Sequence, residues 1–534
     1  MPVLDWIGKQ AVINHHAQVP YRLVHCDGAL SAGLRESGNL LVQGDNLQAL
    51  KALLPYYAGQ VKCIYIDPPY NTGNEGWIYN DNVNSPEIKQ WLGRVVGKQA
   101  EDLSRHDKWL CMIYPRLRLL RDFLREDGVI FVSIDDTSVH YLRIIMDEIF
   151  KEKNFICQLV WKSRQNKDNR NKNGVSNDHE YILAYGNKLR GEERNTAQYA
   201  NPDNDPRGLW TSGNMVGIAT KEARPNLHYD LINPETGINY GCPPMGWRFD
   251  RSRMQKMIDE SRILWPIDND GRPRSKTFLA DLKDPFTGFS SIIGKDIYTR
   301  NGTKTIDDIF SRRAFDFPKP YELISQLIEQ TTEKDDIILD SFAGSGTTGH
   351  AVLAANAADG GNRRFILIEM EEKIATQVTA ERLNRVINGY NKGGDITKPV
   401  VGLGGGFRFC RLGEPLFDEW GDIRAEITFA LMAAHVFFVE TGQPLPKRVD
   451  SSSPLISTLG LKAVYLFYAP QSQGFAQSSA GNVLTLASLS TLPLPWPDFS
   501  GARIIYAEGC TVSPEKLASE NITFKQIPYQ IKGS

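Results

Sequence analysis

Short apolar runs alternate with helix-periodic stretches over the first 160 residues. Leu40-Leu41-Val42, Cys63-Ile64-Tyr65-Ile66, Val129-Ile130-Phe131-Val132 and Phe155-Ile156-Cys157-Gln158-Leu159-Val160 are near-continuous, the pattern of strands buried on both faces. Helices are predicted between them at Leu110 to Arg125 and at Val139 to Phe150. Strand and helix in alternation read as a parallel, doubly wound sheet with helices on both sides. The pattern breaks at Lys162, and as far as Arg313 the chain is rich in Asn, Asp, Gly, Pro and Arg with no sustained period. Alternation then resumes with a helix from Tyr321 to Gln330, a strand Ile337-Ile338-Leu339, a helix from Thr347 to Asn356, a strand Phe365-Ile366-Leu367-Ile368 and a helix from Ile374 to Val386. One α/β sheet is therefore expected to be interrupted by an insertion of about 150 residues, too long for a loop. Gly402-Leu403-Gly404-Gly405-Gly406 reads as a linker, and Val464 to Tyr468 with Ile504 to Ala507 as strands of a small C-terminal α/β domain. The expected boundaries are 1–160, 161–315, 316–395 and 396–534.

Composition places the 534-residue chain among globular proteins, and a formal net charge of −2 argues at first against a polyanionic partner. The charge is unevenly spread. Residues 161–315 carry 25 basic and 20 acidic side chains, whereas 316–395 carry 8 and 13. The positive excess thus falls on the expected insertion, where a nucleic acid would sit. Seven cysteines without a CxxC pair fit neither a disulfide framework nor a zinc site, and a reducing cytoplasm is the expected compartment. The N-terminus lacks an export pattern and no apolar stretch nears the ~20 residues of a membrane span, so no membrane partner is expected.

Two segments carry chemistry. Asp340-Ser341-Phe342-Ala343-Gly344-Ser345-Gly346-Thr347-Thr348-Gly349 follows a strand, opens a helix and contains GxGxxG, with Glu369 at the end of the next strand. Glycines there allow close backbone approach to a ligand, and the carboxylate can accept both hydroxyls of a ribose. A dinucleotide and S-adenosylmethionine fit this stretch equally. Asp67-Pro68-Pro69-Tyr70 directly follows another strand. Two prolines stiffen the segment and aim its carbonyls, so the Asp67 carboxylate and the Pro68 carbonyl form a cluster of acceptors beside the Tyr70 ring. That arrangement suits an amino group on a planar ring, its N–H bonds accepted and the ring stacked on Tyr70.

DPPY together with FAGSGTT resembles the amino-methyltransferases of DNA, in the chain order of their β class, and most closely the Mod subunits of Type III restriction-modification systems. Tyr70-Asn71-Thr72-Gly73, His179-Glu180-Tyr181-Ile182-Leu183 and Asn362-Arg363-Arg364-Phe365 carry the resemblance to Mod subunits. It implies a Rossmann-like methyltransferase sheet interrupted by a target recognition domain, S-adenosylmethionine as cofactor, no metal for the transfer, and double-stranded DNA as partner. It implies catalytic roles for Asp67, Pro68, Pro69 and Tyr70, and adenine rather than cytosine as the target because DPPY stands where SPPY would favour cytosine. Asp45 and Asn46 in Gly44-Asp45-Asn46, Lys319 in Phe317-Pro318-Lys319-Pro320, and Asp340, Phe342, Gly344, Gly346 and Glu369 match its cofactor positions, Asp45 toward the cofactor's adenine and Lys319 toward its carboxylate. Lys162, Arg164, Lys167, Arg170 and Lys172 are expected to contact DNA phosphates. The resemblance admits a homodimer and a Res-like helicase-nuclease as protein partners. Within the family, a solitary methyltransferase and a cytosine 4-amino methyltransferase compete. Outside it stand an NAD-dependent oxidoreductase and a non-catalytic DNA specificity subunit. Asp135-Asp136-Thr137-Ser138 reads as a helix N-cap cluster and His15-His16 as solvated surface.

Overall fold

The computed structural model describes residues 3–70, 104–167, 174–266, 271–447, 449–468, 482–528 and 531. From the N-terminus run β1 (Arg22–Gly33), β2 (Leu40–Gln43), α1 (Asn46–Tyr57), β3 (Val61–Ile66), α2 (Arg105–Phe123), β4 (Leu124–Ile134), α3 (Val139–Met146), β5 (Phe155–Trp161) and β6 (Glu180–Gly186). A separate compact unit, residues 190–289, holds β7 (Trp210–Asn214), α4 (Arg251–Asp259), β8 (Ile263–Leu264) and β9 (Arg274–Phe278). The first unit resumes with β10 (Ile292–Ile293), α5 (Thr299–Phe310), α6 (Tyr321–Thr331), β11 (Ile337–Asp340), α7 (Thr347–Asp359), β12 (Arg364–Glu369), α8 (Glu381–Asn388) and β13 (Gly406–Pro415). It closes with α9 (Phe429–Thr441), β14 (Leu455–Leu459), β15 (Lys462–Leu466), β16 (Ala502–Ala507) and β17 (Ile522–Gln526).

Ten strands form one sheet in the order β1-β13-β2-β12-β11-β3-β4-β6-β5-β10. Only β1 and β6 run against the rest. The central strands are buried on both faces: Leu41, Val42, Ile64, Ile66, Ile130, Leu339 and Ile366 through Ile368 are each exposed by no more than 1 %. Helices cover those faces because each turns an apolar stripe inward; α2 buries Trp109, Ile113, Leu117 and Leu120. It is started by a capping box in which Ser104 and Asp107 satisfy each other's backbone N–H groups.

The α/β sheet expected from the sequence is present, and three boundaries differ. Glu180 to Gly186 was expected inside the insertion but is β6, paired with β4 and β5, and Thr299 to Phe310 is α5 of the first unit; the separate unit is narrower than 161–315. Gly402 to Gly406 is not a linker between domains. The chain passes from it into β13, which lies between β1 and β2. These glycines answer to close approach: the Leu34 N–H donates to the Gly405 carbonyl at 3.0 Å, and a Cβ on Gly406 would lie 2.3 Å from the Leu34 nitrogen. Four of the remaining C-terminal strands make a sheet, β14-β15-β16-β17, parallel except for the β14–β15 pair.

The unit 190–289 has a three-stranded antiparallel sheet, β7-β9-β8. Its core is small, formed by Met215, Tyr229, Leu231, Trp247, Met254, Met257 and Ile263. Trp247 anchors it, donating its indole N–H to the Tyr229 carbonyl at 2.8 Å.

Candidate active site

Strands β2, β3, β11 and β12 are mutually parallel neighbours, so the segments that follow them all emerge at one edge of the sheet. Those segments are Gly44-Asp45-Asn46, Asp67-Pro68-Pro69-Tyr70, the turn from Asp340 to Gly346, and the end of β12 at Glu369. This is the edge where doubly wound sheets carry ligands and chemistry.

Asp67 to Tyr70 is pinned from several sides. The Trp109 indole N–H donates to the Pro69 carbonyl at 2.6 Å, and the Ser138 hydroxyl donates to the Tyr70 carbonyl at 3.2 Å. Ser138 makes no side-chain cap for α3, so its hydroxyl serves this loop. The Lys319 ammonium donates to both Asp67 oxygens at 2.8 Å and to the Tyr70 hydroxyl at 2.6 Å, and lies 3.3 Å from a Glu180 oxygen. The Tyr70 hydroxyl in turn donates to Glu180 at 2.9 Å. Burial pulls the Lys319 ammonium down, but the Asp67 and Glu180 carboxylates outweigh it and hold its pKa above the usual lysine value. Burial, then the same two carboxylates, push the Tyr70 phenol well above its ordinary value, so it stays a neutral donor.

The glycine turn is organised by Asp340. Its carboxylate accepts from the Phe342 N–H at 2.9 Å and from the Thr348 hydroxyl at 2.5 Å, and burial raises its pKa to about 7. Gly344 and Gly346 have φ of +51° and +78°, which only glycine adopts without strain. Glu369 approaches the turn from β12; it accepts from the Gly344 N–H and the Glu371 N–H, both at 2.9 Å. In the neighbouring loop Asp45 caps α1 by accepting from the Gln48 N–H at 3.0 Å and pairs with the buried Arg116 at 3.0 Å. Arg116 also donates to the Asn46 carbonyl oxygen of the side chain, and the Asn46 amide donates to the Ser341 carbonyl at 3.3 Å, tying the β2 loop to the β11 turn.

The structure thus brings together at one edge Asp67, Pro68, Pro69, Tyr70, Asp45, Asn46, Lys319, Asp340, Phe342, Gly344, Gly346 and Glu369. Lys319, expected toward the cofactor's carboxylate, has carboxylate partners within the protein. Its ammonium lies on Asp67, and its backbone carbonyl accepts from the Thr347 hydroxyl at 3.2 Å, so the residue spans the loop after β3 and the start of α7. Lys162, Arg164 and Lys167 are exposed just past the end of β5, which runs parallel to β3 and β4. Arg170, Lys172 and the run Asn71-Thr72-Gly73 lie outside the described residues. Among the described residues no group of three His, Cys, Asp or Glu is placed to hold a metal ion, and no helix is long and apolar enough to cross a membrane.

A family model described as DNA methylase matches residues 61–380, a span that holds DPPY, the glycine turn and Glu369. The chain belongs to the DNA methylase family. This methylase is 33 % identical to the StyLTI Mod subunit, a Type III restriction-modification enzyme of Salmonella typhimurium, over 74 % of the chain and 62 % of that protein. It is 31 % identical to the EcoP15I Mod subunit of Escherichia coli over 74 % of the chain and 68 % of that protein, and 31 % identical to the EcoPI Mod subunit of Escherichia phage P1 over 84 % and 76 %. The resemblance to Mod subunits drawn from the motifs agrees with these matches.

Glu180, Trp109, Ser138 and Arg116 were not read as parts of this methylase's site. For Glu180 a signal existed: it stands in the run His179-Glu180-Tyr181-Ile182-Leu183, as a lone carboxylate at the head of an apolar strand. The other three sit within helices or at a helix start, where nothing in a helical period marks a side chain that reaches a loop.

Proposed function

We propose that the protein is a DNA adenine methyltransferase of a restriction-modification system, which methylates the 6-amino group of an adenine turned out of double-stranded DNA and uses S-adenosylmethionine. The observation that carries this reading is the placement of Asp67-Pro68-Pro69-Tyr70 and the glycine turn on adjacent parallel strands, β3 and β11, at one edge.

The residues present fit the cofactor. Two glycines at positive φ leave room for close backbone approach, the N-terminus of α7 follows them, and the Glu369 carboxylate, a group able to accept from a ribose, is held beside the turn by two backbone N–H groups. Asp340, Phe342, Gly344 and Gly346 form the cradle, with Asp45 and Asn46 on the flanking loop. When bound, the cofactor supplies an electrophilic methyl group on a positively charged sulfur.

The chain's own part is to position the amine. Asp67 and the Pro68 carbonyl accept its two N–H bonds, which draws the nitrogen lone pair out of conjugation with the ring. The Tyr70 ring stacks on the base, an interaction of ~1–3 kcal/mol against the few kcal/mol needed to extrude it. Holding two reactants in line can lower the barrier by about 7–11 kcal/mol, and the pinned backbone of residues 67–70 serves that positioning. Lys162, Arg164 and Lys167 track DNA phosphates, with Arg170 and Lys172 continuing the basic segment, while residues 190–289 read base edges. The relatives named above are Mod subunits of restriction-modification enzymes, and that likeness supports DNA as substrate; a Res-like helicase-nuclease, a second copy of the chain and a cytoplasmic location complete the proposal.

Tritiated S-adenosylmethionine incubated with the protein and mixed genomic DNA tests the reading. Label recovered as N6-methyladenine is the expected result. Label in N4-methylcytosine moves the target to cytosine, and no label at all removes the enzymatic reading. Co-purification of a helicase-nuclease encoded beside the protein tests the partner.

A further inference from the structure

Asp67 must accept an N–H from the target amine, yet both of its oxygens are already engaged by Lys319 at 2.8 Å. The Lys319 side chain is 7 % exposed, and its ammonium sits between the carboxylates of Asp67 and Glu180, whose side chains are 17 % and 21 % exposed. Leaving a buried ammonium without an anion is prohibitive, so Lys319 can release Asp67 only by keeping its charge paired elsewhere. Among the described residues Glu180 is the other carboxylate recorded against it, at 3.3 Å, and Glu180 already holds the Tyr70 hydroxyl at 2.9 Å.

We propose that Glu180 is a positioning residue that takes over the Lys319 ammonium when the target amine takes its place on Asp67. Lys319 is a stand-in for the amine in the target-free protein, and Glu180 is the anion to which it withdraws. The same carboxylate keeps the Tyr70 ring fixed through its hydroxyl while the ammonium moves. No proton changes owner in this exchange: the ammonium moves from one carboxylate to the other. The inference rests on the methyltransferase reading and adds to it a charge that touches neither the base nor the cofactor.

The test is single-turnover methyl transfer to genomic DNA by the wild type, Glu180→Gln, Glu180→Ala and Glu180→Asp. Glutamine keeps the shape and the acceptor for Tyr70 but removes the charge. At saturating DNA and cofactor, E180Q is expected to lose at least about tenfold in rate, to be as slow as E180A, and to be slower than E180D, which keeps the charge on a shorter arm. The base enters after DNA is bound, so the loss falls on the rate constant, while KM for DNA and the calorimetric affinity for S-adenosylmethionine stay within about twofold. That affinity also reports that each variant is folded. An E180Q rate within about threefold of wild type, an E180D slower than E180Q, or a loss confined to KM or to cofactor affinity overturns the proposal. A wild-type protein that transfers no methyl group overturns the methyltransferase reading itself, whereas an active wild type with an unimpaired E180Q overturns this inference alone.

Discussion

Residues 190–289 and the segments on either side of them differ in charge. The separate unit holds 14 basic and 14 acidic residues and is neutral. The flanks carry the surplus: residues 161–189 hold 6 basic and 3 acidic side chains, and 290–315 hold 5 and 3. Within the unit several cations are answered by its own anions, Arg207 by Asp205 at 2.7 Å, Arg262 by Glu260 at 2.8 Å and by Asp281, and Lys276 by Asp203 and Asp205. In the flank after β5, Lys162, Arg164 and Lys167 are exposed at the edge that carries Asp67. The positive excess that the sequence assigned to an insertion of 161–315 therefore belongs to the unit that bears the site. Affinity for a polyanion and discrimination among its sequences need not reside in the same part of a protein, and the proposed function puts the first on the charged flanks and the second on residues 190–289.

That comparison can be broken at four points. The largest effect is expected at the edge itself: Asp67→Ala should lower methyl transfer by about 10³-fold or more while calorimetry shows cofactor binding within a few fold, because it removes the carboxylate that would position the amine. Trp247→Ala should destabilise the unit 190–289 by about 3–5 kcal/mol through loss of its largest core side chain. Limited proteolysis should then cut within 190–289 while the first unit keeps its cofactor affinity; loss of that affinity would show that the two parts are not separable. A triple exchange of Lys162, Arg164 and Lys167 to Gln should weaken duplex binding by about ten- to a hundredfold and flatten the salt dependence by roughly 0.9 in slope per lost phosphate contact. The matching exchange of Arg251, Arg253 and Lys256 on α4 should do less, and an equal or larger effect there would reverse the assignment of charge.

The smallest effect concerns pH. Asp340 has a native pKa of about 7 against 3.8 ordinarily, so between about pH 4 and 7 the folded protein holds a proton that the unfolded chain has lost. Its contribution to stability accordingly falls as pH rises through that window. Asp340→Asn, which keeps the acceptor for the Phe342 N–H, should flatten the pH dependence of Tm across this range by about 2–4 °C, read by calorimetry.

Much of the first unit was legible because β2, β3, β11, β12 and the second half of β4 are near-continuous apolar runs closed by Asp, Gly or Glu, a pattern that follows from burial on both faces. β1 was not, since Arg22, His25 and Asp27 interrupt an edge strand that is only partly covered. β6 was missed for a different reason. Its residues Glu180 to Gly186 have the pattern of a strand, but its place between β4 and β5 is set by antiparallel pairing across the sheet, which no local period announces. The cofactor turn and Asp67-Pro68-Pro69-Tyr70 could be read directly because loop chemistry is written in consecutive residues. The network of Lys319, Glu180, Trp109 and Ser138 around them is assembled from positions as many as 252 residues apart, and only the fold joins them.

The chain leaves the first unit after β6 and returns to it just before β10, and in the sheet a single strand, β5, lies between these two. The hundred residues in between interrupt none of the pairings from β1 through β4 that frame the reactive edge. Recombination within the gene can replace that stretch as one cassette, with both splice points on the same margin of the sheet. If residues 190–289 read base edges, as proposed, a lineage could in this way acquire a new sequence preference in a single genetic event and inherit its chemistry unchanged.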